Sequence, residues 1–205
     1  MGYVDEIIDE LDQLAVAEIM KYAVPTLDDY NDTVILAVEL GKNLNANLEV
    51  IKLGARLMEI KLGEAIHKKK KAHYTEISSE FASAFLTGYP LSEEFKKKVI
   101  ACIEEQNENK FSSMEAEICA NATRCNYLTP KKVFKRFYNL HDRGYSFAEA
   151  FLLVDEKTEE KWKKLTLDIC KKNWEDNYKK IREFIELARN NPADFVAEKK
   201  ERLTG

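Results

Sequence analysis

Glycine and proline are scarce in this sequence, with 7 Gly and 4 Pro among 205 residues. These residues most often punctuate tight turns, and a fold of many short strands needs them in large numbers. Their scarcity therefore excludes a turn-rich all-β architecture. It favours long helices joined by few connections.

Long apolar runs and an excess of positive charge are also absent. No stretch approaches the roughly 20 apolar residues that a membrane-spanning helix needs. The segment Met1 to Glu6 is acidic and lacks the basic start of a secretory signal. The net charge of −4 disfavours nucleic acid as a partner. We expect a cytoplasmic protein with no membrane partner.

The cysteines show no metal-binding pattern. There are 4 of them, Cys102, Cys119, Cys125 and Cys170, and no two form a C-x-x-C pair. Structural zinc sites usually show such closely spaced pairs. Free thiols buried in a protein of the reducing cytosol are therefore expected.

Apolar residues recur at intervals of three and four along nearly the whole chain, which predicts amphipathic helices. Helix-capping and helix-breaking residues set their approximate limits. In the first part of the chain the predicted helices cover residues 3–20, 26–44, 46–61, 73–88, 92–105 and 113–125. Residues 62–72 are predicted to be a loop, and this loop contains a run of four lysines.

The last third of the chain continues the helical pattern. Thr129-Pro130 predicts one helix start, and Ser146 with Glu149 forms the capping-box pattern of another. A long helix is predicted from about residue 158 to residue 189, ended by Asn190-Asn191-Pro192 and followed by a short charged tail over residues 193–205. No repeat or linker divides the chain.

Four helical segments carry a resemblance to a known superfamily. They are residues 50–60, 73–78, 91–103 and 115–124. They resemble four helical segments of the HD phosphohydrolase superfamily. In that family the first segment carries an apolar run before a His-Asp pair, and the second opens with a His. The third is the helix that follows, and the fourth carries Glu-Ala and a later Asp-Ala-Asp-Lys/Arg. The resemblance covers about residues 28–190. It implies an all-α fold, with residues 1–205 forming a single globular helical domain of the HD type.

The resemblance also implies where metal ligands should stand. An HD enzyme holds divalent metal with a His, an adjacent His-Asp pair and a later Asp, and the metal activates a water for attack on phosphate. Here the first His falls near Tyr30 or Asn31, the pair falls on Met58 and Glu59, and the late Asp falls on Thr123. Only Glu59 is a good ligand for a hard metal, so no metal and no cofactor is expected.

Two features near residue 70 are candidates for ligand binding. His73 either contacts a phosphate at a helix N-terminus or is simply an edge residue of that helix. The lysine run, which consists of Lys68, Lys69, Lys70 and Lys71, either attracts a nucleotide or polyphosphate or is a solvated loop.

The leading interpretation is a catalytically degenerate HD-domain protein that binds a nucleotide, another phosphate compound or a partner protein. In it, Tyr30, Met58, Glu59 and Thr123 line one pocket near His73. One alternative is an active phosphohydrolase whose divalent-metal site has been rebuilt around Glu59, His67 and His73. A second alternative is a helical interaction protein unrelated to HD enzymes.

Overall fold

All regular secondary structure in the described part of the chain is helical. The structure, a computed structural model, describes residues 3–204, with side chains described for residues 3–188, and it has no strand in that range. The all-α prediction is confirmed. The helices are α1 (Tyr3–Tyr22), α2 (Leu27–Asn43), α3 (Leu48–Leu57), α4 (Leu62–His67), a 3-10 turn (Lys71–His73), α5 (Tyr74–Thr87), α6 (Glu93–Glu104), α7 (Met114–Tyr127), α8 (Pro130–Asp142), α9 (Phe147–Lys163) and α10 (Asp168–Thr204).

Backbone contacts divide the chain into two compact units, Met1–Asn126 and Tyr127–Gly205. The sequence predicts no boundary, because no linker composition marks the junction, which falls within the last turn of α7. The assignment of residues 1–205 to a single domain stays a prediction.

The first unit is built around α3. This helix contacts α1, α2, α5 and α6, and its apolar side chains Val50, Ile51 and Leu53 are fully buried. Gly54 permits the close packing, because a Cβ at this position would lie 2.6 Å from Cys102 Cβ and 3.6 Å from Cys119 Sγ. Helix α3 is amphipathic: its wide apolar face packs into the bundle, and Glu49, Lys52 and Arg56 lie on the opposite face.

The second unit consists of α8, α9 and α10, which contact one another. Its core is formed by apolar side chains at helical spacing, namely Val133, Phe151, Val154, Ile181 and Ile185. Helix α8 ends with the residues His141 and Asp142, and Asp142 is exposed.

Three helix starts are capped as the sequence predicts. Thr26 and Ser92 accept hydrogen bonds from backbone N–H groups in the first turns of α2 and α6. Ser146 and Glu149 form the reciprocal capping box of α9. Caps of this kind satisfy N–H groups that have no partner within the helix.

The predicted loop over residues 62–72 is wrong. Helix α4 begins at Leu62, and a 3-10 turn covers Lys71–His73. Gly63 is a loop signal in the sequence, but in the fold it is a packing residue: a Cβ there would lie 2.4 Å from the Val24 carbonyl oxygen and 2.6 Å from Tyr22 Cβ. Glycine is needed at this position for the close approach of two segments.

The limits of the predicted long helix are also wrong. Helix α9 ends at Lys163, α10 begins at Asp168, and α10 continues through residues 190–192 to Thr204. No glycine or proline marks the break between α9 and α10, where Leu165 is buried. The backbone of the predicted tail, residues 193–204, is helical, and the side chains of that tail lie outside the described residues.

All four cysteines are free and buried, which confirms the prediction for their burial and redox state. Among the described residues, no helix combines the length and the apolar character needed to cross a membrane.

Candidate functional site

Tyr30, at the position of the first expected metal ligand, is held by its own protein. Its side chain is 9% exposed, and its hydroxyl donates a 2.6 Å hydrogen bond to Asp12 Oδ1. Arg56 donates to both Asp12 oxygens, at 2.9 and 3.2 Å. Burial first, and then the hydrogen bond to Asp12, raise the pKa of Tyr30 above its ordinary value. The protonated phenol is a poor ligand for a hard divalent ion, and its hydroxyl is already bonded to Asp12.

Met58, at the first position of the expected His-Asp pair, is 1% exposed. Its carbonyl oxygen accepts a 3.0 Å hydrogen bond from Gln106 Nε2. The other end of the Gln106 amide accepts a 3.1 Å bond from the Tyr74 hydroxyl, to which Asn107 donates at 3.0 Å. The backbone end of α3 is thus joined to α5 and to the segment that follows α6.

Arg124 extends this arrangement to α7. The side chain is 1% exposed, and its guanidinium donates to the carbonyl oxygens of Gln106 and Glu108. It also lies over the Phe111 ring, 5.6 Å from the centroid. We refer to the Met58 carbonyl with Tyr74, Gln106 and Arg124 as the Gln106 network. These contacts join groups of the protein to one another, so the network serves to hold helices together.

Glu59 lies beside this network. It is half-buried, and its charge contributes to raising the pKa of Tyr74, although burial of the Tyr74 hydroxyl is the larger cause. Thr123, one residue before Arg124, is half-buried and donates its hydroxyl to the Cys119 carbonyl at 3.3 Å within α7. That bond uses the only proton of the hydroxyl.

The end of α7 is fixed to the beginning of α2. Asn126 Nδ2 donates to Thr33 Oγ1 at 2.9 Å and to the Asp29 carbonyl at 3.1 Å. The segments that carry Tyr30 and Thr123 are therefore neighbours. Four cavities among the described residues are lined by other side chains, and none of these four is lined by Tyr30, Met58, Glu59 or Thr123. Convergence of these residues on one pocket stays a prediction.

Three of the four residues at the expected ligand positions do not fit a divalent metal, and Glu59 is the exception. Tyr30 is protonated, Met58 offers a soft thioether, and the hydroxyl of Thr123 is a weak neutral donor, whereas hard divalent ions prefer carboxylate and imidazole. Within residues 3–188, no three His, Cys, Asp or Glu side chains form a group that could hold a metal ion. His67, a candidate for a rebuilt site, packs against the Tyr22 ring at 5.7 Å between centroids.

The lysine run begins with a residue that serves the fold. Lys68 forms a 2.5 Å ion pair with Glu64, which also pairs with Lys61 at 3.2 Å. The hydrogen bond from Lys68 lowers the pKa of Glu64. Lys69 adopts a φ of 59°. At the end of α4, the Lys69 N–H donates a hydrogen bond to the carbonyl of residue 66, and the Lys70 N–H donates one to the carbonyl of residue 65. This is a Schellman-type helix end with lysine where glycine is usual.

Lys69, Lys70 and His73 line one cavity of about 570 Å³, together with Glu76 and Glu80. His73 Nδ1 lies 2.9 Å from Glu76 Oε2, and the His73 side chain is 61% exposed. Neither Lys69 nor Lys70 forms an ion pair with any described residue. Lys68 and Lys71 do not line this space. We refer to it as the basic-loop cavity. The structure brings together three of the residues proposed for ligand binding and leaves two outside.

Several residues of the site could not be recognised from the sequence. Gln106 and Asn107 lie in a polar segment that the sequence identifies only as a connection, and Asp12 lies in a helix outside the segments of the resemblance. Arg124 is part of a segment that resembles the HD family, and that resemblance is the one sequence signal pointing to it. Glu76 and Glu80 follow His73 at helical spacing; Glu76 also lies in a segment of the resemblance, but nothing in the sequence points to Glu80.

Comparison with solved structures identifies the fold. A predicted HD superfamily hydrolase from an uncultured Thermotogales bacterium is 17% identical, with a TM-score of 0.65 over 93% of this chain and 91% of that one. Bacillus subtilis YpgQ, solved in complex with ADP, is 17% identical, with a TM-score of 0.67 over 89% and 95%. An HD-superfamily hydrolase from Bacillus thuringiensis is 17% identical, with a TM-score of 0.67 over 91% and 96%.

The sequence itself is more distant from known proteins. No protein-family model matches it, and no curated protein is significantly similar to it. The chain therefore has the fold of the HD superfamily hydrolases, as the resemblance of its helical segments predicts. At this level of identity the likeness concerns the fold, and the chemistry must be argued from the residues present.

Proposed function

We propose that this protein is a catalytically degenerate HD-domain protein, which binds a nucleoside phosphate in the basic-loop cavity and does not hydrolyse it by metal catalysis. One observation carries the proposal: three of the four expected ligand positions, Tyr30, Met58 and Thr123, hold side chains unsuited to a hard metal, and each of these residues is hydrogen-bonded within the protein. Tyr30 is bonded to Asp12, the Met58 carbonyl to Gln106, and the Thr123 hydroxyl to Cys119.

Metal-assisted hydrolysis requires an ion fixed by several ligands, with an open position for water. Glu59 is the one carboxylate among the four expected positions. A single carboxylate beside a buried methionine does not fix an ion against competition from bulk water. The HD scaffold remains, and its use as a binding protein requires only a site with suitable charges.

The composition of the basic-loop cavity favours a nucleoside phosphate over inorganic phosphate. Lys69 and Lys70 supply positive charge for phosphate oxygens, whereas Glu76 and Glu80 repel them. Carboxylates accept hydrogen bonds from ribose hydroxyls and base amino groups, which a nucleoside offers and inorganic phosphate does not. The volume of about 570 Å³ lies within the range of small-molecule sites. ADP, which YpgQ binds in its crystal structure, belongs to this class.

The experiment is a calorimetric titration of the protein with ADP, adenosine and inorganic phosphate. The informative variant is Lys69→Gln with Lys70→Gln. Its matched control is Lys68→Gln with Lys71→Gln, which removes equal charge from the same run outside the cavity. We expect the cavity variant to weaken ADP binding about tenfold and to reduce its salt dependence, because two ammonium–phosphate contacts are lost.

The control variant should weaken ADP binding less than about threefold, through the general field of the loop alone. Replacement of all four lysines by Ser should show the combined loss. Unchanged affinity in the cavity variant, or equal losses in both double variants, would remove the basic-loop cavity as the site. Absence of ADP binding by the native protein would contradict the choice of ligand.

We also propose a cytoplasmic location. The support is the set of four free, buried thiols, which is typical of proteins kept in a reducing compartment.

A further inference from the structure

A second cavity, of about 540 Å³, lies between α5 and α6. Helix α6 lines it with residues spaced three and four apart, from Glu93 through Lys97 and Ile100 to Glu104, and Glu105 follows at the cap. This spacing places them on one face of the helix. The cavity shares no lining residue with the basic-loop cavity. An inference about it therefore stands independently of the proposed function.

The charges along this face are separated by sign. Near the beginning of α6, Lys96 pairs with Glu93 at 3.2 Å, while Lys97 forms no ion pair with any described residue. At the other end, Glu104 accepts a 2.6 Å hydrogen bond from Ser79 Oγ, and Glu105 accepts a 2.8 Å bond from the Ser112 N–H. These neutral donors orient the two carboxylates without cancelling their charge. One end of the cavity is thus cationic and the other is anionic.

The stability of α6 does not explain the two carboxylates. The C-terminal end of a helix carries a partial negative charge, so acidic residues there are unfavourable. Neither Glu104 nor Glu105 has a cationic partner among the described residues. A cation bound from solution at this end of the cavity would relieve the repulsion.

The middle of the cavity is apolar and its length is defined. Leu86 is fully buried, and Ile100 and Ala101 are half-buried between the two charged ends. Lys97 and Glu105 are separated along the helix axis by about 12 Å, at roughly 1.5 Å per residue. An extended chain advances about 3.3 to 3.6 Å per residue, so about four residues span this distance.

We propose that the cavity between α5 and α6 binds a short extended peptide with free termini. Its terminal carboxylate lies at Lys97, and its terminal ammonium lies between Glu104 and Glu105. Small apolar side chains of the peptide contact Ile100 and Ala101. The recognition depends on the two termini and their separation.

The probe is tetra-alanine, compared with its N-acetyl form and its C-terminal amide, each titrated into the ¹⁵N-labelled full chain. We expect amide shifts within residues 83–105 on addition of tetra-alanine. Blocking either terminus should weaken binding about tenfold or more, because each block removes a charged contact. The spectra also report whether each variant remains folded.

Two variants test the orientation of the peptide. Lys97→Gln should weaken binding of tetra-alanine but leave binding of its amide unchanged, because the amide has no carboxylate to lose. Glu104→Gln with Glu105→Gln should weaken binding of tetra-alanine but not of the N-acetyl form. The matched control is Lys98→Gln: Lys98 is adjacent in α6, pairs with Glu94 at 4.0 Å and does not line the cavity.

Three results would overturn the proposal. The first is the absence of shifts within residues 83–105 at millimolar tetra-alanine. The second is equal affinity for the free, acetylated and amidated peptides, which would show that the termini are not recognised. The third is a loss in Lys98→Gln as large as that in Lys97→Gln, which would assign the effect to the general charge of α6.

Discussion

The Gln106 network and the basic-loop cavity use polar side chains in opposite ways. In the network, the Arg124 guanidinium, the Gln106 amide and the Tyr74 hydroxyl bind groups of the protein itself, and Arg124 is 1% exposed. In the cavity, Lys69 and Lys70 are exposed and form no ion pair with a described residue. Polar groups in the first region hold helices together. Those in the second remain available to a solute.

This difference indicates which part of a chain with an HD-type fold is suited to ligand binding. The region of the expected His-Asp pair keeps a rigid, hydrogen-bonded arrangement, but no group of metal-ligating side chains forms there or elsewhere within residues 3–188. The lysine run follows α3 by a single short helix, so it is carried by the same compact unit. A change in the network should therefore act mainly on stability, and a change in the cavity should act mainly on binding.

The largest effect on stability is expected for Arg124→Ala. Removal of the guanidinium leaves the Gln106 and Glu108 carbonyls without this donor and opens a cavity beside Phe111. We expect a loss of about 2–4 kcal/mol in the free energy of unfolding, because buried acceptors left unsatisfied are costly. Urea unfolding measures it. Lys110→Ala, an exposed substitution in the same unit, should change stability by less than about 0.5 kcal/mol.

A loss for Arg124→Ala no larger than that for Lys110→Ala would break the comparison. It would show that the Gln106 network contributes little to the fold, and that its polar groups are as available as those of the cavity.

The next effect concerns the pH dependence of stability. The raised pKa of Tyr30 means that the folded state holds this proton more tightly than the unfolded state. The resulting stability is fully present below about pH 10, the ordinary tyrosine value, and is lost as pH rises above it. Above pH 10, stability should fall more steeply in the native protein than in Tyr30→Phe, by up to about 1.4 kcal/mol per pH unit.

Urea unfolding between pH 8 and pH 11 checks this prediction. Tyr138→Phe is the matched control for the loss of a phenol hydroxyl, because Tyr138 is 70% exposed. Parallel profiles for the native protein and Tyr30→Phe would show that burial and the Asp12 hydrogen bond do not raise the pKa of Tyr30 in solution.

The smallest effect on stability is expected for Lys69→Gly, and it has the opposite sign. Lys69 adopts a φ of 59°, a conformation that glycine accepts without steric cost. We expect a gain of about 0.5 kcal/mol in the free energy of unfolding, since relief of strain exceeds the added flexibility of the unfolded chain. ADP binding should weaken at the same time. A stabilised variant with unchanged ADP affinity would show that the lysine side chain has no role in binding.

Much of the fold could be predicted from the sequence, because helical periodicity and capping are local signals. The caps at Thr26, Ser92 and Ser146 follow from residues three positions apart. The loop predicted around Gly63 is wrong, because the sequence alone does not show whether a glycine serves a turn or close packing. The break before α10 contains no glycine or proline. Leu165 is buried within the break, which indicates that tertiary packing causes it.

The candidate site was predictable only in part. The proximity of Lys69, Lys70 and His73 follows from their nearness in the chain. The bonds from Gln106 to Met58 and from Tyr30 to Asp12 join residues far apart in the sequence, and no local pattern specifies such pairs. The absence of His and Asp at residues 58 and 123 is visible in the sequence, but the internal bonding of their replacements is not.

The most direct test of the central claim is an assay of phosphate release by the purified protein. It uses a panel of nucleotides and a simple phosphoester, each with manganese, magnesium, cobalt, nickel or zinc. We predict no release above that of metal and substrate alone, because the expected ligand positions cannot fix an ion. Robust, metal-dependent release that disappears in Glu59→Ala or His73→Ala would contradict the claim and establish an active hydrolase with a rebuilt site.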